Sequence, residues 1–224
     1  MIKIGVPSKG RLMEDTFDWF GARGMAMRRI GADREYAGAV QGIGGVELVM
    51  LSASEVPREL AAGRIHLGVT GADLVQDGLP DWQTVVAEVA RLGFGKADLM
   101  LAVPGVWVDV DTLDDLDAAA AAFRAAHGFR LRIATKYHRL VREFLTANGV
   151  ADYQLVDSLG ATEGTVKNLT AEAIADISSS GATLRANHLK PLSDGLILKS
   201  EAVLYRSQMP GTPDLTGLIE RLKQ

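Results

Sequence analysis

The sequence predicts an α/β protein of two lobes built on mainly parallel sheets. Three observations carry this prediction. Short apolar runs alternate with helix-forming stretches along the chain, and loops rich in glycine and serine repeatedly follow those runs. Two such blocks are joined by stretches too long and too glycine-interrupted for one regular strand. Repeated strand, loop and helix units favour parallel pairing with right-handed crossovers. The first lobe is expected over residues 1–94, completed by roughly 197–224, and the second over 95–196.

Each element has its own justification. Residues 2–6 alternate and stop at Pro7, a first strand that opens into Ser8-Lys9-Gly10-Arg11. Leu12, Phe17, Trp19 and Phe20, with acidic residues between them, predict a helix ended by Gly21 and Gly24. Residues 45–51 form a continuous β-prone run, after which Ser52-Ala-Ser54 is expected to cap a helix over 55–62 with Gly63 as its stop. Residues 66–70 predict a third strand, and Gly71-Ala72-Asp73 the turn into another helix, with Asp73 suited to an N-cap. The stretch 85–104 reads as a crossing between lobes. Asp111-Thr112-x-x-Asp115 opens an alanine-rich helix that reaches Ala126 and ends at Gly128. A strand over 130–135, its exit turn at 136–138 and a helix over 140–145 closed by Asn148-Gly149 follow. Residues 153–156 supply another strand, leading into the acidic, glycine-bearing turn from Ser158 to Glu163 and Gly164. Residues 173–175 are a buried strand, 184–187 the first turn of a helix, and 196–205 one long strand. Leu215, Leu218, Ile219 and Leu222 share the apolar face of a terminal helix.

Composition narrows the function. A chain of 224 residues with a 47% hydrophobic fraction can bury a sizeable core without staples. The absence of cysteine excludes disulfides, thiolate metal sites and a cysteine nucleophile, and fits a reducing, cytoplasmic setting. The first residues lack the basic-then-apolar pattern of a leader, and no window approaches the roughly 20 apolar residues of a membrane span. A formal charge of −4 with interspersed signs offers no cationic face for nucleic acid. Any anion must be held by a local pocket.

One stretch has the makings of such a pocket. Asp176-Ile-Ser-Ser-Ser-Gly-Ala-Thr183 joins an apolar strand to a helix start, where backbone N–H groups lack internal partners. Gly181 lets the backbone come close to a ligand, and Ser178, Ser179, Ser180 and Thr183 add hydroxyls around Ala182. The Asp176 carboxylate would repel a phosphate and suits ribose hydroxyls, so the implied ligand is a sugar phosphate. An ordinary serine-rich capping turn is the competing reading. At the other end of the chain, residues 5–10 have the glycine spacing of a phosphate loop, but Arg11-Leu12 stands where a Walker pattern needs Lys followed by Ser or Thr. What survives is a Lys9 and Arg11 pair at a strand's C-terminal end, suited to polyphosphate or merely solvated. His66 has no companion at metal-ligand spacing, and no Ser-His-Asp pattern is present.

Taken together, Lys9-Gly10-Arg11-Leu12, Gly68-Val-Thr-Gly-Ala-Asp73, Ala134-Thr-Lys-Tyr137, Gly160-Ala-Thr-Glu163 and Asp176-Ile-x-x-Ser-Gly-Ala-Thr-Leu184-x-x-Asn187 resemble the short form of the ATP phosphoribosyltransferase family nearly end to end. The resemblance implies lobes like those of type II periplasmic binding proteins, with the active site in the cleft between them. It implies transfer of phosphoribose from phosphoribosyl pyrophosphate to N1 of ATP, the first step of histidine biosynthesis. On this resemblance the 178–183 loop holds the 5-phosphate, Glu163 and Asp176 engage the ribose, and Lys9 and Arg11 lie across the cleft near the pyrophosphate and the ATP phosphates. Gly10, Gly71, Asp73 and Tyr137 fall to the ATP side. Mg²⁺ is expected with the pyrophosphate rather than in a protein cage. A regulatory subunit resembling histidyl-tRNA synthetase, in a hetero-octamer, is the implied partner. Within 165–170 the family more often shows an Ala-Pro pair and a glycine, which this chain lacks. The rival functions are a non-catalytic solute-binding protein of the same fold and a phosphoribosyltransferase acting on another base.

Overall fold

The computed structural model describes residues 1–30, 37–158 and 160–223, and among them twelve strands, eight α-helices and one short 3-10 helix at Trp82–Thr84. They form two compact units, one of Met1–Lys96 with Glu201–Gln224, the other of Ala97–Ser200. No helix among the described residues is long and apolar enough to cross a membrane.

In the first unit the chain runs through β1 (Ile2–Pro7), α1 (Gly10–Gly21), β2 (Ala26–Ile30), β3 (Ala37–Gln41) and β4 (Val46–Leu51). It continues through α2 (Val56–Ala61), β5 (Leu67–Gly71), α3 (Ala72–Gly78) and β6 (Val86–Arg91). The second unit contains β7 (Ala97–Pro104), α4 (Leu113–His127), β8 (Leu131–Thr135), α5 (His138–Ala147), β9 (Tyr153–Asp157), α6 (Gly164–Lys167), β10 (Ala173–Ser178), α7 (Ala182–Ala186) and β11 (Leu189–Ser200). The return to the first unit brings β12 (Ala202–Ser207) and α8 (Thr216–Leu222).

The first sheet has the order β2-β3-β4-β1-β5-β12-β6 and the second β11-β7-β10-β8-β9. Among the described residues, parallel pairing is confined to β4-β1-β5 and to β10-β8-β9. The expectation of mainly parallel sheets is therefore corrected, since every other pairing is antiparallel. The reason is connectivity: β2 and β3 form a hairpin, and β7, β11 and β12 belong to the segments that carry the chain between units. Buried apolar side chains explain why the parallel strands are central. Ile4, Val6, Leu67 and Val69 pack with Phe20 of α1 and with Leu218 and Leu222 of α8 in one cluster, and residues buried on both faces of a sheet read as continuous apolar runs.

Several other expectations change. The run 196–205 is two strands in different sheets, with Glu201 between them, and β11 begins earlier, at Leu189. The crossing at 85–104 resolves into β6 and β7, separated by a loop in which Gly93 and Gly95 take positive φ. Ser52 and Ser54 do not cap α2. Its N-cap position is Glu55, whose carboxylate instead accepts the Ser52 N–H and hydroxyl, at 2.9 and 2.7 Å. Asp73 is not an N-cap either, since Gly71 occupies that position on α3. By contrast, Thr112 and Asp115 form a reciprocal capping box on α4, and Gly128 closes that helix at φ 78.

Candidate active site

Parallel strands bring their C-terminal ends to one edge of a sheet, and in each unit that edge gathers residues the sequence singles out. In the first unit β1, β4 and β5 end together. The Ser8 N–H donates to the Leu51 carbonyl at 2.7 Å, tying the exit of β1 to the end of β4. Thr70, buried at the end of β5, donates its hydroxyl to the Ala53 carbonyl at 2.7 Å. These two bonds fix three exit turns side by side.

Lys9 takes the extended N-cap position of α1, and Gly10 follows at φ 72, a backbone conformation that L side chains rarely adopt. The Arg11 side chain is 91% exposed and stands 3.8 Å from Asp15, one turn along. Beside Lys9 lies a cavity of about 430 Å³ whose wall includes Ser8, Leu51, Ser52 and Glu55. The Glu55 carboxyl sits below its usual range because the Ser52 hydroxyl and N–H both donate to it. Asp73, 6% exposed, folds back over Gly71, so that a Cβ at Gly71 would lie 2.3 Å from its Oδ1. Behind it Tyr205 of β12 is fully buried. Burial first, then the nearby Glu88 and Asp73 carboxylates, holds its phenol well above the ordinary range, against the pull of Arg91.

In the second unit β8, β9 and β10 end together. Tyr137 follows β8, its N–H donating to the Thr135 hydroxyl at 2.9 Å and its ring buried. Tyr137, expected on the ATP side, lies in the second unit, as its place within 95–196 implies. After β9, the buried hydroxyls of Ser158 and Thr162 bond to each other at 2.8 Å and brace the turn that delivers Glu163 to the N-cap position of α6. Leu159, within that turn, lies outside the described residues.

β10 runs further than expected, so that Asp176 and Ser178 are strand residues paired with Met100 and Asp98. Asp176 is half-buried, and its Oδ1 accepts the Ile177 N–H at 2.8 Å. The loop then closes on itself. The Gly181 N–H donates to Ser178 Oγ at 2.9 Å and the Ala182 N–H to Ser180 Oγ at 3.3 Å, while Ser179 and Thr183 are exposed. Gly181 has φ 67, the left-handed region that favours glycine. α7 starts two residues earlier than predicted, at Ala182 rather than Leu184.

Two residues at these edges escaped the sequence reading. Arg185 reaches back to the loop, donating from Nη2 to the Ser180 carbonyl at 3.1 Å, and its spacing of four from Gly181 is the available signal. Glu55 was also readable, since Ser52-x-x-Glu55 has capping-box spacing. The arrangement offers hydroxyls, backbone N–H groups and the Glu163 and Asp176 carboxylates on one edge, with the Lys9 and Arg11 cations and the Glu55 and Asp73 carboxylates on the other. This equipment suits binding and aligning anions.

Comparison with known proteins gives the same direction. The sequence model of the HisG family, ATP phosphoribosyltransferase, matches residues 52–224. An ATP phosphoribosyltransferase of Cereibacter sphaeroides is 76% identical over 216 residues, covering 96% of this chain and 92% of the relative. One from Sinorhizobium fredii is 50% identical over 226 residues, covering 99% and 98%. Among solved structures, the ATP phosphoribosyl transferase (HisG:HisZ) complex from Thermotoga maritima superposes with a TM-score of 0.73 at 19% identity, over 100% of this chain and 97% of that one. The substrate binding protein of an amino acid ABC transporter gives a TM-score of 0.53 at 13% identity, over 99% and 89%, which speaks to the fold alone. With the family model spanning most of the chain and relatives of that name aligning along nearly all of it, the chain belongs to the ATP phosphoribosyltransferase family, the pentosyltransferases that open histidine biosynthesis.

Proposed function

We propose that this chain transfers the phosphoribosyl group of phosphoribosyl pyrophosphate to N1 of ATP, giving N1-(5-phospho-β-D-ribosyl)-ATP and pyrophosphate. The observation that most supports the residue roles is the 178–183 loop. Its Gly181 and Ala182 N–H groups already converge on oxygen acceptors, the hydroxyls of Ser178 and Ser180. Phosphate oxygens can replace those acceptors, and the freed hydroxyls can turn to donate. Ser179 and Thr183 add donors, and Asp176 and Glu163 accept ribose hydroxyls. Tyr137 is proposed for the ATP side.

In the reaction, the N1 lone pair attacks the anomeric carbon, the bond from that carbon to the pyrophosphate oxygen breaks, and its electrons leave on pyrophosphate. No protein nucleophile is required. Lys9 and Arg11 stabilise the departing charge. The Arg11 contact with Asp15 is an exposed pair of little worth, which leaves the guanidinium available. Gly10, Gly71 and Asp73 shape the ATP side. Mg²⁺ is proposed to arrive with the pyrophosphate and to neutralise charge on its oxygens. Mg²⁺ prefers substrate phosphates and water to an all-protein cage. Glu163 and Asp176 are the carboxylates at the sugar edge able to add a ligand.

On the likeness to the Thermotoga maritima complex, a regulatory subunit resembling histidyl-tRNA synthetase is proposed as partner, in a hetero-octamer, with the cytoplasm as the setting. The test mixes the purified chain with ATP and phosphoribosyl pyrophosphate, with and without that subunit, and follows the adduct by absorbance. Arg11→Ala is expected to slow adduct formation roughly 10²-fold without unfolding the protein. Ribosylation of another base, and none of ATP, would overturn the reading.

A further inference from the structure

The two short helices at the sugar-phosphate edge share a second environment. α6 begins one residue after Glu163, and α7 begins one residue after Gly181. At their other ends Val166 and Lys167, and Ala186 and Asn187, line a single cavity of about 330 Å³. Its remaining wall is made by Pro104, Val106, His188 and Leu189, three of them apolar. Leu189 and Val166 also belong to the core cluster beneath it, so the floor is anchored. Val106 is 81% exposed, an apolar side chain left in water at the cavity's wall.

The backbone around this cavity is unusual. Of the non-glycine residues with positive φ among those described, Leu169 (φ 58) follows Lys167 by two and His188 (φ 56) lines the cavity itself. Both are held in place by their carbonyls, Leu169 accepting from Arg132 Nη2 at 3.0 Å and His188 from the Gly105 N–H at 2.7 Å. Backbone strain that the surrounding structure enforces gathers at ligand clamps and switch regions. The charge is one-sided as well. Lys167 brings an ammonium that makes no ion pair among the described residues, and no carboxylate lines the cavity.

We propose that this cavity is an effector site for a small, mainly apolar anion, such as an aromatic or branched aliphatic carboxylate. The apolar body would cover Val106 and Leu189, and the carboxylate would reach Lys167. The volume lies at the small end of ligand pockets, roughly 300–1,000 Å³. A ligand there touches the far ends of both helices whose near ends carry Glu163 and the Gly181 loop, so its binding is coupled to theirs. Coupling of this kind is reciprocal: the effector changes sugar-phosphate affinity by the same factor that the sugar phosphate changes effector affinity. The coupling, though not the pocket, rests on the reading of Glu163 and residues 178–183 as the sugar-phosphate site.

Calorimetric titration of the full chain with phenylacetate and with isovalerate tests the pocket. Saturable binding of at least one is expected, weakened at least tenfold by Ala186→Phe, which fills the cavity, and by Lys167→Met, which removes the charge. Phenylacetamide, the neutral analogue, should bind at least tenfold more weakly than phenylacetate. No saturable binding of either carboxylate, or binding that neither variant changes, overturns the site. A second titration, with phosphoribosyl pyrophosphate at saturating effector, should show its Kd shifted at least threefold. An unchanged Kd overturns the effector role. If phosphoribosyl pyrophosphate fails to bind the wild-type chain at all, the assignment of the sugar-phosphate site falls instead, and the first titration still decides the pocket.

Discussion

Two glycines show how single positions govern the site. At Gly71 the constraint is space, because a Cβ would sit 2.3 Å from the Asp73 Oδ1 and that carboxylate would have to swing away. Gly71→Ala is therefore expected to keep the fold and to lower adduct formation by roughly 10²-fold, since small misplacements of an aligning group are costly. Steady-state kinetics at varied ATP checks it, and near-normal turnover would remove Asp73 from the ATP side. At Gly181 the constraint is the backbone. The nearest atom to an added Cβ is the mobile tip of Arg185, at 2.9 Å, but φ 67 is a conformation that costs an L residue about 1–2 kcal/mol. Gly181→Val should lose that much stability in urea denaturation and most of its affinity for phosphoribosyl pyrophosphate in calorimetry. Undiminished affinity in the folded variant would remove the loop from the site.

At the scale of elements, the segment leading into β10 is pinned from β8. Glu172 accepts from the Arg132 backbone N–H at 2.8 Å and from its guanidinium through both oxygens, and the same guanidinium holds the Leu169 carbonyl. Burial alone would raise the Glu172 carboxyl, but the Arg132 donors outweigh it and hold it below its ordinary value of 4.5. A depressed folded value means that the stabilisation is complete above about pH 4.5 and is lost as pH falls through the folded value. Glu172→Gln should cost roughly 1.5–3 kcal/mol near neutrality, and the gap to wild type should close in acid. A gap independent of pH in urea denaturation would show that the carboxylate charge is not the source. No sequence rule reveals this pair, because residues 132 and 172 meet only through tertiary structure. Local signals fared better. The Thr112 and Asp115 box and the Gly128 stop were legible because each is set within a few residues of chain. The β2-β3 hairpin was not, since the adjacent Arg28 and Arg29 in β2 and Gly38 in β3 interrupt its alternation. The break at Glu201 was hidden for a different reason, as apolar runs such as 196–198 and 202–205 look the same whichever sheet a strand joins. In the same way, the sequence placed the loop residues at strand ends, while the bonds from Gly181 to Ser178 and from Arg185 to Ser180 depend on how the loop turns.

For the whole molecule, the order of strands separates the two units in kind. Residues 97–200 hold every strand of the second sheet, so a fragment of that length is expected to unfold cooperatively by itself. A fragment of residues 1–96 lacks β12, through which β6 joins β5, and lacks α8, whose Leu218 and Leu222 share the core of Phe20. It should show no cooperative transition by circular dichroism, and a sharp one would contradict this account. The position of β12 also sets a timetable for synthesis. The half of the chain made first is completed last: β5 waits with an unpaired edge while the residues from Lys96 to Ser207 are translated, roughly 6–22 s at about 5–20 residues per second. An exposed strand edge is a template for pairing with another chain, so ribosome-bound chains that have passed Lys96 but not reached Ser207 are the ones that need a chaperone.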